Sequence, residues 1–277
     1  MYSIIFGTDI DQDFSENPWL CIYNKYREVF RSSVEKMTGM NLKEIFQSPW
    51  AQEVDFNSIV EKLKKIKYEN GTEINRIIER CIELCPPKEI FKVYFLPVPF
   101  DSMIMTNHSP EIGTFILYGV GKSFHTDYLK IYLPHEYAHI VRLQEVLLKD
   151  NIDSPHKMTL GELAIFEGLG VAFSMIFNGD VSESNIPKYV GPISQQLFSQ
   201  RNALIDEFWR LYNRKIPELS REIIEKYYGE KSKGIYIVGT SLILKLISNG
   251  YSICNLNRMI YKKIINLVKS LKDKNPI

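Results

Sequence analysis

The sequence predicts an α+β protein in which helices dominate and a small sheet precedes the longest helical region. Before Pro87, apolar residues recur at the spacing of amphipathic helices. Residues 90–98 (IFKVYFLPV) and 114–120 (TFILYGV) then have the aromatic and β-branched composition of strands. From about Asp127 onward, helical patterns follow one another with short breaks.

The N-terminal part contains three predicted helical segments. The first follows Asn17-Pro18 and ends near Gly39, and the others cover residues 58–68 and 72–85. Pro86-Pro87 ends the last of them, because proline has no amide hydrogen and its ring clashes within a helix.

The C-terminal part follows a loop rich in Pro, Asp, Ser and Asn that separates the two predicted strands. We expect an N-terminal helical region over residues 1–88 and a second domain over 89–277, with one continuous domain as the alternative. The predicted helices after the strands cover residues 127–149, 160–178, 192–213, 217–228, 234–248 and 255–272.

Composition and charge exclude several functional classes. Hydrophobic residues make up 45% of the 277 residues and the net charge is +1, so nothing drives the whole chain towards nucleic acid or acidic membranes. The N-terminus lacks the basic start of a signal peptide. Residues 160–177 carry two glutamates, which favours a buried helix over a membrane span. We expect a soluble cytoplasmic protein; the sequence does not indicate its oligomeric state.

The chain has four cysteines: Cys21, Cys81, Cys85 and Cys254. Cys81 and Cys85 are four residues apart on a predicted helix and could share a metal, but no second pair has ligand spacing. We therefore expect free buried thiols in a reducing compartment.

The strongest motif is His135-Glu136-Tyr137-Ala138-His139, an HExxH sequence. On a helix, His135 and His139 lie on one face, one turn apart, so both imidazoles can reach one zinc ion with bonds of about 2.0–2.1 Å. Glu136 can then take a proton from a water that attacks a carbonyl. The alternative is a half-exposed helix with two ordinary histidines. Pro134 predicts that the helix either kinks there or begins there.

A catalytic zinc site needs a third protein ligand, and the next helix offers Glu162 and Glu167. Thr159 and Glu162 fit a capping box, which gives Glu162 a structural task at the helix start. Glu167 lies deeper in an apolar helix, where a carboxylate needs a partner, so we predict that it binds the metal.

Two further features bear on this prediction. Gly168 and Gly170 lack side-chain bulk, so this helix could approach the HExxH helix closely. The alternative for Glu167 is a buried ion pair with Arg142 or a lysine.

The two predicted metal-binding segments carry a family resemblance. An HExxH motif followed by a glutamate on the next helix resembles the gluzincin metallopeptidases. LPHEYAHIVR (residues 133–142), Thr159-Leu160 and Phe166-Glu167-Gly168-Leu169 are more narrowly similar to the YjaZ-like family of predicted zinc-dependent proteases. Gly170 departs from the alanine of that family's E-G-L-A segment, and GIYIVG (234–239) resembles its C-terminal helix. The resemblance covers about residues 110–245. It implies a zincin-like fold with a helical C-terminal lobe, one Zn²⁺ and peptide-bond hydrolysis.

The resemblance also suggests a supporting strand, and the residues themselves suggest further candidates. Residues 114–120 would line the cleft and pair with an extended peptide through a free edge, or would be an ordinary core strand. Tyr236 is our candidate donor to the oxyanion, because Gly234 and Gly239 would leave space for substrate; a packing tyrosine is the alternative. Arg142 could orient a carboxylate or face solvent. His108 and His125 flank the second strand and could lie near the cleft or simply in loops.

The sequence therefore predicts a zinc metallopeptidase that acts on peptides or proteins. In this prediction His135, His139 and Glu167 bind Zn²⁺, and Glu136 and Tyr236 are catalytic. A zinc-binding regulatory or interaction protein without catalysis is the first alternative. A helical structural protein with an accidental motif is the second.

Overall fold

A computed structural model describes residues 1–8, 17–152, 155–190, 195–229 and 233–274. Backbone contacts divide the chain into two compact units. The first comprises Met1–Glu79 and Pro87–Tyr132, and the second comprises Arg80–Pro86 and Leu133–Ile277. The predicted boundary near residue 88 stays a prediction, because compact packing does not establish where an independently folding domain ends.

The first unit contains a mixed four-stranded sheet with the order β1-β2-β4-β3. β1 pairs in parallel with β2, β2 pairs in parallel with β4, and β3 is an antiparallel edge strand. The side chains of β2 and β4 are buried almost throughout, as expected for parallel strands covered on both faces. The strands are β1 (Tyr2–Phe6), β2 (Phe91–Pro97), β3 (Met103–Ser109) and β4 (Gly113–Val120).

The sheet confirms two predicted strands and corrects the rest. β2 and β4 coincide with the predicted segments 90–98 and 114–120. β3 lies in the predicted loop, and β1 lies in a segment for which we expected no strand. Because β4 lies between β2 and β3, residues 114–120 have no free edge for a peptide. The prediction of edge pairing there is wrong, and the alternative of an interior core strand is right.

Helices precede and follow the sheet in sequence. The first helical region ends at Gly39, whose φ of 70° is the left-handed conformation common after a helix. The predicted segments 58–68 and 72–85 are joined by a π-helical turn, Ile66–Asn70. The helices up to Pro86 are α1 (Pro18–Lys25), α2 (Arg27–Phe30), α3 (Lys36–Thr38), α4 (Leu42–Gln47), α5 (Pro49–Gln52), α6 (Phe56–Lys65) and α7 (Gly71–Leu84).

The described chain from Thr126 onward is mostly helical, as predicted. However, residues 258–260 interrupt the predicted helix 255–272, and residue 200 interrupts the predicted helix 192–213, whose residues 192–194 lie outside the described residues. The helix predicted over residues 234–248 has the same bounds in the structure. The helices are α8 (Leu129–Arg142), α9 (Leu160–Phe177), α10 (Ile186–Val190), α11 (Gln195–Ser199), α12 (Arg201–Leu211), α13 (Arg221–Tyr228), α14 (Gly234–Ser248), α15 (Ile253–Asn257) and α16 (Tyr261–Lys274).

α9 and α14 approach each other closely in the second unit. A Cβ on Gly239 would lie 1.8 Å from the carbonyl oxygen of Ala164, and a Cβ on Gly168 would lie 2.2 Å from the carbonyl carbon of Gly239. Neither position has room for a larger residue. The two glycines therefore allow the helix backbones to pack against each other.

α9 is also long and apolar enough to cross a membrane by length and composition alone. However, 83% of it is buried inside the protein. The core helix of a globular protein meets the same criteria, so the structure agrees with the predicted buried helix.

The cysteines differ from the prediction. Cys85 and Cys254 form a disulfide with a Cα–Cα distance of 5.0 Å, whereas Cys21 and Cys81 are free. The expectation of four free thiols is therefore wrong, and so is the alternative of a metal shared by Cys81 and Cys85. Of the two free thiols, Cys21 is exposed and Cys81 is buried. The disulfide joins the end of α7 to α15 within the second unit.

Candidate metal centre

The HExxH motif lies in the C-terminal half of α8, which begins at Leu129 and continues through Pro134. The predicted alternative that the helix begins at Pro134 is therefore wrong. Because proline has no amide hydrogen, the helix lacks one backbone hydrogen bond at this position. His135 and His139 lie one turn apart on this helix and are 8% and 4% exposed. Their burial rules out the half-exposed helix that we considered as the alternative.

α9 begins with the predicted capping box. Thr159 Oγ1 accepts from the backbone N–H of Glu162 at 3.2 Å, and the Glu162 carboxylate accepts from the backbone N–H of Thr159 at 2.8 Å. Glu162 therefore caps the helix. Glu167, about one and a half turns further on, is 9% exposed and free of any capping role.

The side chains of His135, His139 and Glu167 converge at one point. The Nε2 atoms of the two histidines are 2.9 Å apart. Glu167 Oε2 lies 3.3 Å from His135 Nε2 and 3.6 Å from His139 Nε2. Glu167 therefore pairs with the histidines, and the alternative of an ion pair with Arg142 or a lysine is wrong.

The geometry of these three atoms suits zinc. Ligand atoms on a tetrahedral ion with bonds of about 2.0–2.2 Å are separated by about 3.3–3.6 Å. The three measured separations are 2.9, 3.3 and 3.6 Å, so small side-chain movements would give that geometry. Two imidazoles and one carboxylate are also a common ligand set of catalytic zinc. These residues form a candidate metal site.

The pKa values of Glu167 and His135 reflect the interaction of the Glu167 carboxylate with the two imidazoles. Burial by itself raises the pKa of Glu167, but hydrogen bonds to His135 and His139 outweigh it and hold that pKa far below its ordinary range. Burial lowers the pKa of His135, yet the hydrogen bond to Glu167 and the charges of Glu136 and Glu167 raise it overall. Both shifts have the same cause, which is that the Glu167 carboxylate favours positive charge on the neighbouring imidazoles.

The predicted catalytic residues lie next to this group. Glu136 is 7% exposed and directly follows His135 on α8, and its charge raises the pKa of His135. Tyr236 lies at the start of α14 and is half-buried, with its ring centroid 6.3 Å from that of His135. Its proposed catalytic role remains a prediction.

The glycines near Tyr236 do not have the function that we predicted for them. A Cβ on Gly239 would meet Ala164, and a Cβ on Gly234 would lie 2.8 Å from the carbonyl oxygen of Lys226. The two glycines therefore serve close packing of the chain and leave no space for a substrate.

Arg142 has a different partner from either of those predicted. It is 1% exposed, and its Nη1 donates to the carbonyl oxygens of Met259 at 2.8 Å, Asn257 at 3.3 Å and Leu256 at 3.4 Å. Burial lowers its pKa to about 10, so it stays charged at neutral pH. The prediction of a solvent-facing side chain is wrong; Arg142 ties α8 to the end of α15.

Two residues close to His135, His139 and Glu167 were not identified from the sequence. The ring of Phe166 stacks on that of His139, with centroids 3.8 Å apart and planes 7° apart. Lys233 lies with its Nζ 6.0 Å from the ring centroid of Tyr236, and its charge lowers the pKa of His135. The position of Phe166 directly before Glu167 is the one sequence signal that could have indicated that Phe166 contacts the site.

His108 and His125 belong to the first unit. His108 lies on β3, and His125 packs edge-on against Tyr128 with ring centroids 6.3 Å apart. Neither belongs to the three side chains of the candidate metal site.

The α+β fold and the buried His-His-Glu group define a candidate zinc metalloprotein with an HExxH helix. The family described as predicted Zn-dependent protease (DUF2268) matches residues 71–210, just over half of the chain. The chain belongs to this family, which confirms the resemblance seen in the sequence. No match was found among curated proteins or among solved structures.

Proposed function

We propose that the protein is a zinc-dependent peptidase that hydrolyses peptide bonds. The observation that carries this proposal is the buried group of His135, His139 and Glu167, with Glu136 at the next position on the helix. The matching family, whose members are described as predicted Zn-dependent proteases, supports the same activity.

His135, His139 and Glu167 would hold the ion. Zinc supplies Lewis acidity, which polarises a carbonyl and lowers the pKa of water. Glu136 acts as the general base: its carboxylate takes a proton from the water that attacks the peptide carbonyl carbon. As the C–N bond breaks, Glu136 returns this proton to the leaving amine, so one water is consumed and a carboxylic acid and an amine are produced.

Tyr236 is the proposed donor to the carbonyl oxygen as negative charge develops there. Its half-buried phenol lies beside His135, and the Lys233 ammonium lies near its ring.

The proposed substrates are peptides or proteins, and we propose no nucleic-acid or membrane partner. The near-neutral charge of the chain supports this choice. We propose the cytoplasm as the location, as expected from the sequence, but the Cys85–Cys254 disulfide favours an oxidising compartment. Fractionation of cells and immunodetection would decide between the two.

The variant Glu136→Gln tests the proposed base. It keeps the size of the side chain but cannot take a proton, so we expect hydrolysis of a peptide library to fall at least about 100-fold with zinc content unchanged. Glu145→Gln, on the turn after α8, is the matched control and should leave hydrolysis unchanged. Equal cleavage by wild type and Glu136→Gln would contradict the proposal.

The same assay separates the peptidase from a zinc-binding regulatory protein. A regulatory protein would bind zinc at His135, His139 and Glu167 but show no turnover that depends on Glu136. The absence of cleavage by zinc-loaded wild type, across a broad peptide library, would favour that alternative.

A second variant, Tyr236→Phe, tests the oxyanion donor. We expect kcat to fall about 10- to 100-fold with little change in KM, because the hydroxyl acts only in the transition state. An unchanged kcat would remove Tyr236 from the mechanism.

A further inference from the structure

His139 is held in an unusual way for a metal ligand. Its Nε2 faces Glu167, so the opposite ring nitrogen, Nδ1, points away from the candidate metal position. Metal-binding histidines almost always donate this second N–H to a carboxylate, a carbonyl or water, which fixes the orientation of the ring. The Nδ1 of His139 is buried and has no hydrogen-bond partner within the described residues. No protein group among the described residues therefore orients this ring through Nδ1, and its ring contacts become relevant.

Phe166 makes that contact. Its ring lies parallel to the His139 imidazole, at a centroid distance of 3.8 Å and an interplanar angle of 7°. The two rings are closer than those of His135 and His139, at 4.6 Å, or those of His135 and Tyr236, at 6.3 Å. The face of one ring therefore covers the face of the other.

The position of Phe166 in the chain makes this contact rigid. Phe166 directly precedes Glu167, so one turn of α9 carries both the carboxylate ligand and the stacking ring. The turn is anchored, because Ala164 and Gly168 on either side of it pack against Gly239 of α14. Movement of the Phe166 backbone would require the two packed helices to separate.

The direction of His139 Nε2 depends on this stacking. The planes of His135 and His139 are 86° apart, so rotation of the His139 ring about its Cβ–Cγ bond would carry Nε2 away from both His135 and Glu167. The same rotation would tilt the imidazole out of the plane of Phe166 and lose the face-to-face contact.

We propose that Phe166 is the positioning residue of the metal centre: it orients His139 by ring stacking. The inference rests on the proposed zinc site, but it does not require peptidase activity.

Zinc affinity of the purified, metal-free chain tests the proposal, measured by competition with a chromophoric chelator. The variant Phe166→Leu keeps an apolar side chain but removes the flat ring. We expect its dissociation constant for zinc to rise about tenfold or more, the usual effect of losing a group that orients a ligand. Phe166→Tyr retains the ring and should bind zinc within about twofold of wild type.

A matched control separates positioning from general loss of packing. Phe177→Leu removes an aromatic ring from the same helix, where Phe177 is 7% exposed and contacts Arg80. It should leave zinc affinity unchanged. Co²⁺ in place of zinc gives an independent spectroscopic measurement, because its visible absorption depends on ligand geometry. We expect an altered spectrum for Phe166→Leu and wild-type spectra for Phe166→Tyr and Phe177→Leu.

The possible results are distinct. Wild-type zinc affinity and a wild-type Co²⁺ spectrum in Phe166→Leu would overturn the inference. So would an equal loss of affinity in Phe177→Leu, or a Phe166→Tyr variant that binds as poorly as Phe166→Leu. If wild type itself binds no zinc, the proposed function fails and the inference fails with it. Zinc binding without peptide cleavage would contradict only the proposed activity.

Discussion

At the scale of single residues, the metal centre depends on an exchange between a proton and a metal ion. In the metal-free protein, Glu167 is a carboxylate within 3.3 Å of His135 Nε2, and the pKa of His135 is raised from its ordinary value of 6.5. A histidine must lose its proton before it can bind zinc. At the proposed site, zinc would therefore compete with a proton on His135.

This exchange predicts how zinc affinity depends on pH. Because the pKa of His135 is raised, the affinity should begin to fall at a pH above 6.5 on acidification, by up to about tenfold per pH unit for one displaced proton. Isothermal titration in buffers of different ionisation enthalpy would measure the released proton. A zinc affinity that stays constant between pH 8 and pH 6 would contradict the expected competition.

Without zinc, the free energy of unfolding of the protein should also depend on pH. The raised pKa of His135 adds to the free energy of unfolding below pH 6.5. This contribution is lost as the pH rises through the pKa of His135 in the folded protein. The lowered pKa of Glu167 contributes stability above 4.5 that is lost as pH falls. For this pair alone, the contribution is therefore largest between pH 4.5 and 6.5, and Glu167→Gln should remove that maximum from urea unfolding curves.

At the scale of elements, α9 organises the second unit because it packs closely in two directions. Gly168 brings it against α14, while Gly170 brings it against the His135 ring on α8. A Cβ on Gly170 would lie 2.7 Å from His135 Cε1 and 2.8 Å from its two ring nitrogens. The predicted close approach of α9 to the HExxH helix is thus confirmed for Gly170, whereas Gly168 contacts a different helix.

Gly170→Ala tests this packing. The added methyl group has no room unless the His135 imidazole turns. Since the family's E-G-L-A segment carries alanine here, we expect this adjustment to lower zinc affinity by no more than about tenfold. We also expect a loss of about 1–3 kcal/mol in the free energy of unfolding from overpacking. Zinc competition and urea unfolding would measure these two effects.

Gly71→Ala is the matched control, because a Cβ on Gly71 would have no neighbour within 4 Å. Alanine is a better helix former than glycine, so this variant should be neutral or slightly stabilising, with unchanged zinc affinity. If Gly170→Ala binds zinc like wild type, His135 has more freedom than the structure indicates.

At the scale of the whole molecule, contacts between segments distant in sequence hold the HExxH helix in the second unit. The hydroxyl of Tyr137 donates to the Cys85 carbonyl oxygen at 2.6 Å, and Arg142 donates to three carbonyls after Cys254. The disulfide joins Cys85 to Cys254 across 169 residues of sequence. The helix therefore contacts both segments that the disulfide links.

Loss of the disulfide should destabilise the protein. A bond that closes so long a loop restricts the unfolded chain, so Cys254→Ser should lower the free energy of unfolding by about 2–5 kcal/mol. Urea unfolding would measure the loss, and Cys21→Ser, which removes an exposed free thiol, should have no effect. Four reactive thiols in unfolded, unreduced protein would contradict the disulfide, whereas two would support it.

The features that were predicted from the sequence are those encoded locally. The bounds of α14 follow from its apolar pattern, and the roles of Thr159 and Glu162 follow from a capping box of four residues. Glu167 could be chosen as a candidate ligand because a carboxylate in an apolar helix needs a partner.

The features that were missed depend on pairing between distant segments. β3 carries Thr106, Asn107 and His108, so it has no strand-like alternation and is recognised only by its pairing with β4. Arg142 meets carbonyls more than 110 residues away, and the partner of a cysteine cannot be deduced from spacing alone. Neither contact leaves a local signal in the chain.

Anomalous X-ray diffraction at the zinc edge tests the central claim most directly. Crystals of the zinc-loaded protein should show one strong peak within about 2.0–2.2 Å of His135 Nε2, His139 Nε2 and a Glu167 carboxylate oxygen, and this peak should be lost or much weakened in Glu167→Ala. A map without a peak between these three side chains, or a peak bound by other residues, would contradict the proposed zinc site.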